Sequence, residues 1–211
     1  MMMEQKTKSP YMLSLQDKIL DAAMLAFAQK GIKAVRMDDI AQMLSISKRT
    51  LYEIYDNKEK LLFEGVKKYK LIKDKEFEKL SAESNNVMEI MLAQYRQKVE
   101  EFHNTSPLFY ADITKYPSVV KFLNDERHQS HEQFIGFLQR GIREGYFRND
   151  INLELISEMF SSIGEHIISH QLYNQYSMEE LVNNLVLVSL RGFCSIKGIH
   201  QLDQYFGTNE E

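Results

Sequence analysis

The chain has 211 residues, with one cysteine, nine glycines and three prolines. A lone cysteine cannot form an intrachain disulfide, which argues against a secreted, disulfide-framed scaffold and favours the cytoplasm. The formal net charge of −4 is unevenly distributed, because residues 1–60 hold ten Lys and Arg against eight Asp and Glu, so a slightly basic end precedes an acidic remainder.

The composition favours an all-α fold, since glycine and proline are scarce while Leu, Glu, Lys, Met and Ile are abundant. No apolar run approaches the about 18 residues that a spanning helix needs, and segment 1–9 is charged without an apolar signal core, so no membrane segment is expected. No glycine-rich phosphate loop, nucleophile elbow or zinc-hydrolase motif occurs. We therefore expect no cofactor, and an enzyme is the less favoured interpretation.

Three helices are predicted in the first 60 residues. They cover about 15–30, 37–44 and 48–54. The first begins at a capping-box-like pattern that starts at Ser14, and it ends at Gly31, a residue type that terminates many helices in a left-handed conformation. Ser47 is a suitable N-cap for the third helix. The second and third helices, separated by a three-residue turn, form a helix-turn-helix.

Six more helices are predicted from apolar residues that recur at steps of three and four. They cover about 58–80, 88–102, a short piece between Pro107 and Pro117, 118–144, 152–174 and 178–197. The last two carry wide apolar faces. The sequence thus predicts about nine helices, with an amino-terminal three-helix part followed by a larger helical remainder.

Residues between 19 and 62 share the spacing of a known family motif. They are Ile19, Ala22, Ala23, Phe27, Gly31, Asp39, Ile40, Ala41, Ser47, Thr50, Leu51, Tyr52, Lys58, Glu59, Leu61 and Leu62. This segment resembles the amino-terminal DNA-binding domain of the TetR family, bacterial regulators in which one chain binds operator DNA and senses a small molecule. The later helices match the family only in number, length and general character.

Three positions depart from the family pattern. Ser45 stands where the turn usually has Gly, and a serine at positive φ would cost about 1 kcal/mol, which favours a turn that is built differently here. Arg36 stands at a position that is often a Thr or Ser cap, and Tyr55 stands where Phe is usual.

The resemblance implies that the third helix enters the major groove of double-stranded DNA, where its cations and amino-terminal amides meet base edges and phosphates. Lys48 and Arg49 are the leading contacts, and the resemblance implies that Tyr52 and Lys58 contact the phosphate backbone. The predicted DNA-binding residues are Arg36, Ser47, Lys48, Arg49, Thr50, Tyr52, Tyr55 and Lys58. For Arg36 a solvated surface role, and for Tyr55 a core role, remain equal alternatives.

The resemblance also implies that the last two helices pair with those of a second copy in a four-helix bundle, which gives a homodimer on a near-palindromic operator. The predicted interface residues are Ile156, Met159, Phe160, Ile163, Ile167, Leu181, Leu185, Val188 and Phe193. Burial of these residues inside one chain is the alternative.

In this family, helices four to eight enclose a cavity for a small-molecule effector. The predicted lining residues are Tyr69, Met88, Met91, Tyr95, Phe102, Phe109, Tyr110, Phe134, Phe137 and Phe160. Aromatic and Met stripes at helical spacing are more often ordinary core. The pairs His128/His131 and His166/His170 have the spacing of metal ligands on one helix face, but no Cys accompanies them and no metal site is expected. The same histidines suit hydrogen bonds to a polar effector.

These observations favour a cytoplasmic, ligand-responsive transcriptional regulator, expected to act as a repressor. The predicted organisation is a flexible tail (1–13), a DNA-binding domain (14–60), an effector-binding and dimerisation domain (61–203) and a carboxyl-terminal tail (204–211). An adaptor whose helix-turn-helix binds protein is a further alternative. Effector, operator and regulated genes are left open by the sequence.

Overall fold

The computed structural model describes residues 10–207, apart from the side chains of Pro10, Arg127, His128, Gln129 and Met178. Its helices are α1 Pro10–Lys30, α2 Met37–Met43, α3 Lys48–Ile54, α4 Lys58–Glu83, α5 Val87–His103, α6 Pro107–Ile113, α7 Pro117–Arg143, α8 Leu153–Ser169, α9 Met178–Leu181, α10 Val188–Phe193 and α11 Ile196–Phe206. No named strand forms within residues 10–207, so the predicted all-α class is confirmed. No helix in this range is long and apolar enough to cross a membrane.

The first helix begins earlier than predicted. It starts at Pro10, a residue type that suits the first helical position because the amide it lacks would have no partner there. The capping-box-like pattern at Ser14 lies inside α1, so the predicted start there is wrong. The predicted end is confirmed, because Gly31 has φ +83° and its N–H donates to the carbonyl of Phe27 over 2.9 Å.

The carboxyl-terminal helices also differ from the prediction. The eighth helix ends at Ser169 and is followed by Gln171 in a left-handed conformation and a short 3₁₀ turn at Leu172–Asn174. No Gly or Pro marks this end, so the apolar periodicity predicted a helix that continues past it.

The predicted helix over 178–197 is interrupted twice. A π-helical segment, Val182–Leu187, joins α9 to α10, and α10 ends at Phe193. The hydroxyl of Ser195 then accepts the N–H of Gly198 and donates to the carbonyl of Gly145. This N-cap starts a separate helix, α11, which runs to Phe206.

The chain forms two compact units, which we call the head and the body. The head comprises the described residues up to Ile72 together with Leu108–Val120, and the body comprises Lys73–Pro107 and the residues from Lys121 onward. The head buries Ile19, Phe27, Ile32, Ile40, Leu51, Leu61 and Leu62 almost completely. The body core comprises Val87, Met88, Leu92, Leu138, Phe147, Leu190, Phe193, Cys194 and Leu202.

Candidate nucleic-acid interface

The α2–α3 turn presents α3 through two well-formed helix ends. The Ser47 hydroxyl accepts the Thr50 N–H over 3.0 Å and lies 2.7 Å from the Thr50 hydroxyl, so the predicted N-cap is confirmed. At the end of α2, the Ile46 N–H donates to the Ala41 carbonyl and the Ser45 N–H donates to the Gln42 carbonyl. These two bonds form a Schellman motif, the usual glycine-containing end of a helix.

Ser45 adopts φ +52°, the left-handed conformation that the motif requires at this position. The prediction of a differently built turn is therefore wrong. The serine accepts the backbone strain of about 1 kcal/mol, and the family geometry is kept without the glycine.

The start of α2 is capped by a carboxylate. The backbone N–H of Arg36 donates to Asp39 Oδ2 over 2.8 Å, and the Arg36 backbone is extended. The Arg36 side chain is exposed. The residue therefore occupies the cap position through its backbone and keeps its guanidinium on the surface.

Both leading cations of α3 are exposed and paired with carboxylates. Lys48 Nζ lies 2.6 Å from Asp38 Oδ2, and the Lys48 side chain is 66% exposed. Arg49 Nε lies 2.8 Å from Glu53 Oε1, and its side chain is 88% exposed. The hydrogen bond to Asp38 raises the pKa of Lys48. Because exposed ion pairs are weak and screened by salt, both cations remain available to an incoming phosphate.

The two tyrosines of this region have different surroundings. Tyr52 is 45% exposed, whereas Tyr55 is only 5% exposed. Burial, with the neighbouring Glu64 and Asp17 carboxylates, raises the pKa of Tyr55 to about 12. Of the two alternatives for Tyr55, its burial favours the core role, and its DNA contact stays a prediction.

Lys58 turns inward toward the backbone. Its ammonium donates to the carbonyls of Ile32 and Val35 over 2.9 and 3.0 Å, and desolvation lowers its pKa. Both carbonyls lie in the loop that joins α1 to α2. The resemblance implied a phosphate contact for Lys58, and sequence reasoning missed this role on the loop.

Asp112 of α6 is a second residue that sequence reasoning missed as part of the head. It is 7% exposed, and its carboxylate accepts the Lys33 N–H over 2.7 Å and the Lys115 ammonium over 2.8 Å. Burial alone would raise the pKa of Asp112, but these hydrogen bonds outweigh it and the pKa is lowered. The sequence does hold one signal for this role, a single carboxylate in an otherwise apolar short helix. Asp is rarely buried without a partner, so such a residue indicates a specific contact.

The predicted effector-lining residues fall into two groups. Tyr69, Phe109 and Tyr110 belong to the head, and Met88, Met91, Tyr95, Phe102, Phe134, Phe137 and Phe160 belong to the body. In the body, Met88 is fully buried and the Tyr95 hydroxyl donates to Asn183 Oδ1 over 2.9 Å. The Phe134 ring stacks on Phe137 and meets Phe160 edge-on.

One open groove of the body, about 440 Å³ in volume, contains a predicted lining residue, Phe137. Its other walls include Phe77, Ala82, Gly136 and the stem of Arg140. The Arg140 guanidinium donates to the carbonyls of Ser81 and Ser84.

The predicted interface residues are partly internal. Ile167, Leu181 and Phe193 are 8%, 4% and 2% exposed within one chain, which favours the alternative of burial inside the chain for these three. Val188 is 60% exposed, and the remaining residues, Ile156, Met159, Phe160, Ile163 and Leu185, are half-buried. Leu155 of α8, which was not predicted, is 67% exposed.

The histidines act as hydrogen-bonding groups. His131 Nε2 lies 2.7 Å from Glu154 Oε2, and its Nδ1 lies 2.8 Å from the Ser157 hydroxyl. The ring centroids of His166 and His170 lie 4.1 Å apart. The His128 side chain lies outside the described residues. Within the described part of the chain, no three His, Cys, Asp or Glu residues come together as a metal site.

Comparisons with known proteins agree with this geometry. Residues 19–64 match the model of bacterial regulatory proteins of the tetR family. The transcriptional repressor KstR2 of Rhodococcus jostii is 24% identical over 65% of this chain and 70% of its own length. The biofilm operon icaADBC negative regulator IcaR of Staphylococcus epidermidis is 40% identical over 25% of this chain and 28% of its own.

A TetR-family regulator from Agrobacterium tumefaciens has the same fold, with a TM-score of 0.70 and 15% identity over 87% of this chain and all of the other. The fold and the head define a helix-turn-helix protein of the DNA-binding class. More specifically, residues 19–64 match the tetR family of bacterial regulatory proteins.

Proposed function

We propose that this chain is a cytoplasmic transcriptional repressor that binds a near-palindromic operator as a homodimer and is released by a small-molecule effector. The observation that carries the proposal is the exposed cationic start of α3, where Lys48 and Arg49 project from a helix-turn-helix whose core is complete. The relatives KstR2 and IcaR are named as a repressor and a negative regulator. This is a binding function, and no step of it requires catalysis by the chain.

The proposed contacts divide by chemistry. Lys48 and Arg49 meet base edges, which discriminate sequence, and phosphates, which position the protein. Arg36, Ser47, Thr50 and Tyr52 surround them as phosphate and sugar contacts. In the free protein Asp38 and Glu53 neutralise the two cations, so duplex DNA exchanges one anionic partner for another.

The test is selection of duplex DNA by the purified protein, followed by anisotropy titration of the selected fragment at several salt concentrations. The double variant Lys48→Ala, Arg49→Ala is expected to weaken binding at least tenfold and to reduce the salt dependence of log K by about two. Lys121→Ala is the matched control, because Lys121 is an exposed lysine paired with Asp125 in the body. Equal loss in the control, or none in the double variant, would contradict the proposal.

The dimer is proposed from apolar side chains that one chain leaves in solvent. Leu155 on α8 and Val188 on α10 are 67% and 60% exposed, and helices with such exposed apolar groups are usual at homodimer interfaces. Val188→Glu is expected to yield a monomer by light scattering. Ile196→Glu, at a position of α11 that is 78% exposed and outside the proposed interface, is expected to remain dimeric. A monomeric wild type would contradict this part.

The effector is proposed to bind the aromatic interior of the body. Phe134, Phe137 and Phe160 provide ring contacts, and Tyr95 with Asn183 provides a polar anchor. An effector acts only through its different affinities for the DNA-competent and incompetent states, and a tenfold loss of operator affinity needs about 1.4 kcal/mol of difference. Genes adjacent to the selected DNA identify candidate metabolites, which are then titrated into the protein–DNA complex.

A further inference from the structure

We propose that Asp112 and Lys58 are positioning residues that together fix the α1–α2 loop and thereby set the orientation in which α2 and α3 meet DNA. The inference rests on the proposed DNA binding. It concerns how the head holds its shape, and it replaces the phosphate contact that the family resemblance implies for Lys58.

The loop, residues 31–36, has its polar backbone satisfied by side chains from two other helices. Asp112 of α6 accepts the Lys33 N–H over 2.7 Å, and Lys58 of α4 donates to the carbonyls of Ile32 and Val35. A loop whose buried amide and carbonyls have such partners is fixed in one conformation, because leaving any of them unpaired is costly.

The contact between α6 and the loop is also steric. A Cβ atom at Gly31 would lie 2.8 Å from the Leu108 Cβ and 3.2 Å from Asp112 Oδ2. The backbone of Gly31 therefore lies directly against α6, and the glycine both permits this approach and supplies the positive φ of +83°. The start of the loop therefore cannot move closer to α6 while Leu108 and Asp112 stay in place.

The loop leads directly into the DNA-binding elements. It ends at Arg36, whose backbone N–H is bound by Asp39 in the first turn of α2, and α2 leads into α3 through a turn that the bond from the Ile46 N–H to the Ala41 carbonyl closes. A change in the loop is thus transmitted through adjacent residues to the start of the recognition helix.

The charges of the two side chains are complementary. Lys58 carries the positive charge beside the loop carbonyls and feels the negative charge of Asp112, which Lys115 also neutralises. An ammonium that already donates to two backbone carbonyls is held by the protein, which makes it a weaker counterion for a phosphate. The salt dependence of DNA binding separates these two roles.

The experiment uses the full chain and the DNA fragment selected by the wild type. Asp112→Ala removes the acceptor, Asp112→Asn keeps an oxygen in nearly the same position, and Asp125→Ala removes an exposed aspartate paired with Lys121 in the body. Operator and non-specific affinities are measured by anisotropy, and hydrogen exchange is followed for peptides that cover 31–40.

Asp112→Ala is expected to weaken operator binding about tenfold or more, to leave non-specific binding within about twofold, and to accelerate exchange at Lys33. Asp112→Asn is expected to restore most of the operator affinity, and Asp125→Ala to match the wild type. A residue that only stabilised the fold would lower the melting temperature without changing the affinity of the folded protein.

Lys58→Met provides the second measurement. We expect weaker operator binding with an unchanged slope of log K against log salt concentration, whereas Lys48→Ala is expected to reduce that slope by about one. A reduced slope for Lys58→Met, or unchanged loop exchange and affinity in Asp112→Ala, would overturn the inference. If Asp112→Ala does not fold, the slope of Lys58→Met decides. A wild type without any preferred DNA would instead refute the proposed function, so the two failures are distinguishable.

Discussion

The head and the body both bury apolar side chains, but the contacts that we assign to their functions differ. In the head, Asp112 and Lys58 bind the backbone of one loop through hydrogen bonds. In the body, Phe193 meets Phe147 and Phe160 at ring-centroid distances of 5.0 and 5.8 Å. Hydrogen bonds to a loop fix one geometry, whereas ring contacts in an apolar core tolerate repacking. The body fixes one of its loops in the same way, because Arg140 donates to the carbonyls of Ser81 and Ser84, so the capacity to adapt that the proposed effector sensing requires lies in its aromatic core.

The largest expected effect is on the body core. Phe193→Ala removes a ring that is 2% exposed, so the free energy of unfolding is expected to fall by about 3–5 kcal/mol through lost burial and the resulting cavity. Urea denaturation followed by circular dichroism measures it. Ile196→Ala, three residues later and 78% exposed, serves as the control and is expected to change little. A small effect at Phe193 would mean that its ring contacts contribute little to the stability of the body.

The second largest expected effect is on the free energy of unfolding at alkaline pH, and it arises from Tyr55 in the head. Because the pKa of Tyr55 is raised to about 12 in the folded head, above the value near 10 of an unfolded tyrosine, folding favours the protonated phenol. The stabilisation is complete below pH 10 and is lost as the pH rises toward 12, by about 1–2 kcal/mol.

The measurement is the free energy of unfolding between pH 9 and 11.5 for the wild type and for Tyr55→Phe. The variant lacks the ionising group, so its decline with pH is expected to be shallower. Tyr52→Phe removes an exposed hydroxyl and is the control. Parallel pH profiles for Tyr55→Phe and the wild type would show that Tyr55 is not in a desolvated site.

Short-range patterns in the head were predictable, and long-range partners were not. The cap at Ser47, the end of α1 at Gly31 and the bounds of α3 follow from residues within one or two turns. The bonds of Lys58 and Asp112 join residues 23 to 79 positions apart, and no local spacing encodes them. The same limit explains why the sequence did not decide between a core role and a DNA contact for Tyr55, because burial depends on tertiary packing.

In the body, the prediction lost accuracy where a helix ends without a strong signal. The π-helical segment Val182–Leu187 and the left-handed Gln171 carry no Gly or Pro, so periodicity extended the helices through both regions. The Ser195 cap became recognisable only with its partners, Gly198 and Gly145. The apolar faces of α8 and α10 were correctly expected, but which side of each faces the chain's own core was decided by tertiary packing.

The smallest expected effect is on stability and concerns a helix-end motif that occurs in both regions. Helix α2 in the head and α7 in the body both end in a Schellman motif, and the left-handed position is Ser45 in the first and Gly145 in the second. Their φ angles are +52° and +76°. The end of α2 therefore carries backbone strain that the end of α7 avoids.

Exchanging the residues should change stability in opposite directions. Ser45→Gly relieves about 1 kcal/mol of strain, and part of this gain is offset because glycine makes the unfolded chain more flexible, which leaves a net stabilisation of about 0.5 kcal/mol. Gly145→Ser is expected to destabilise by about 1 kcal/mol. A Cβ at Gly145 meets no atom within 4 Å, so the loss arises from the backbone alone. Calorimetric melting of both variants measures the two shifts. Shifts of the same sign would mean that polar contacts of Ser45 compensate its conformation, and that the two helix ends are not equivalent despite their matching hydrogen bonds.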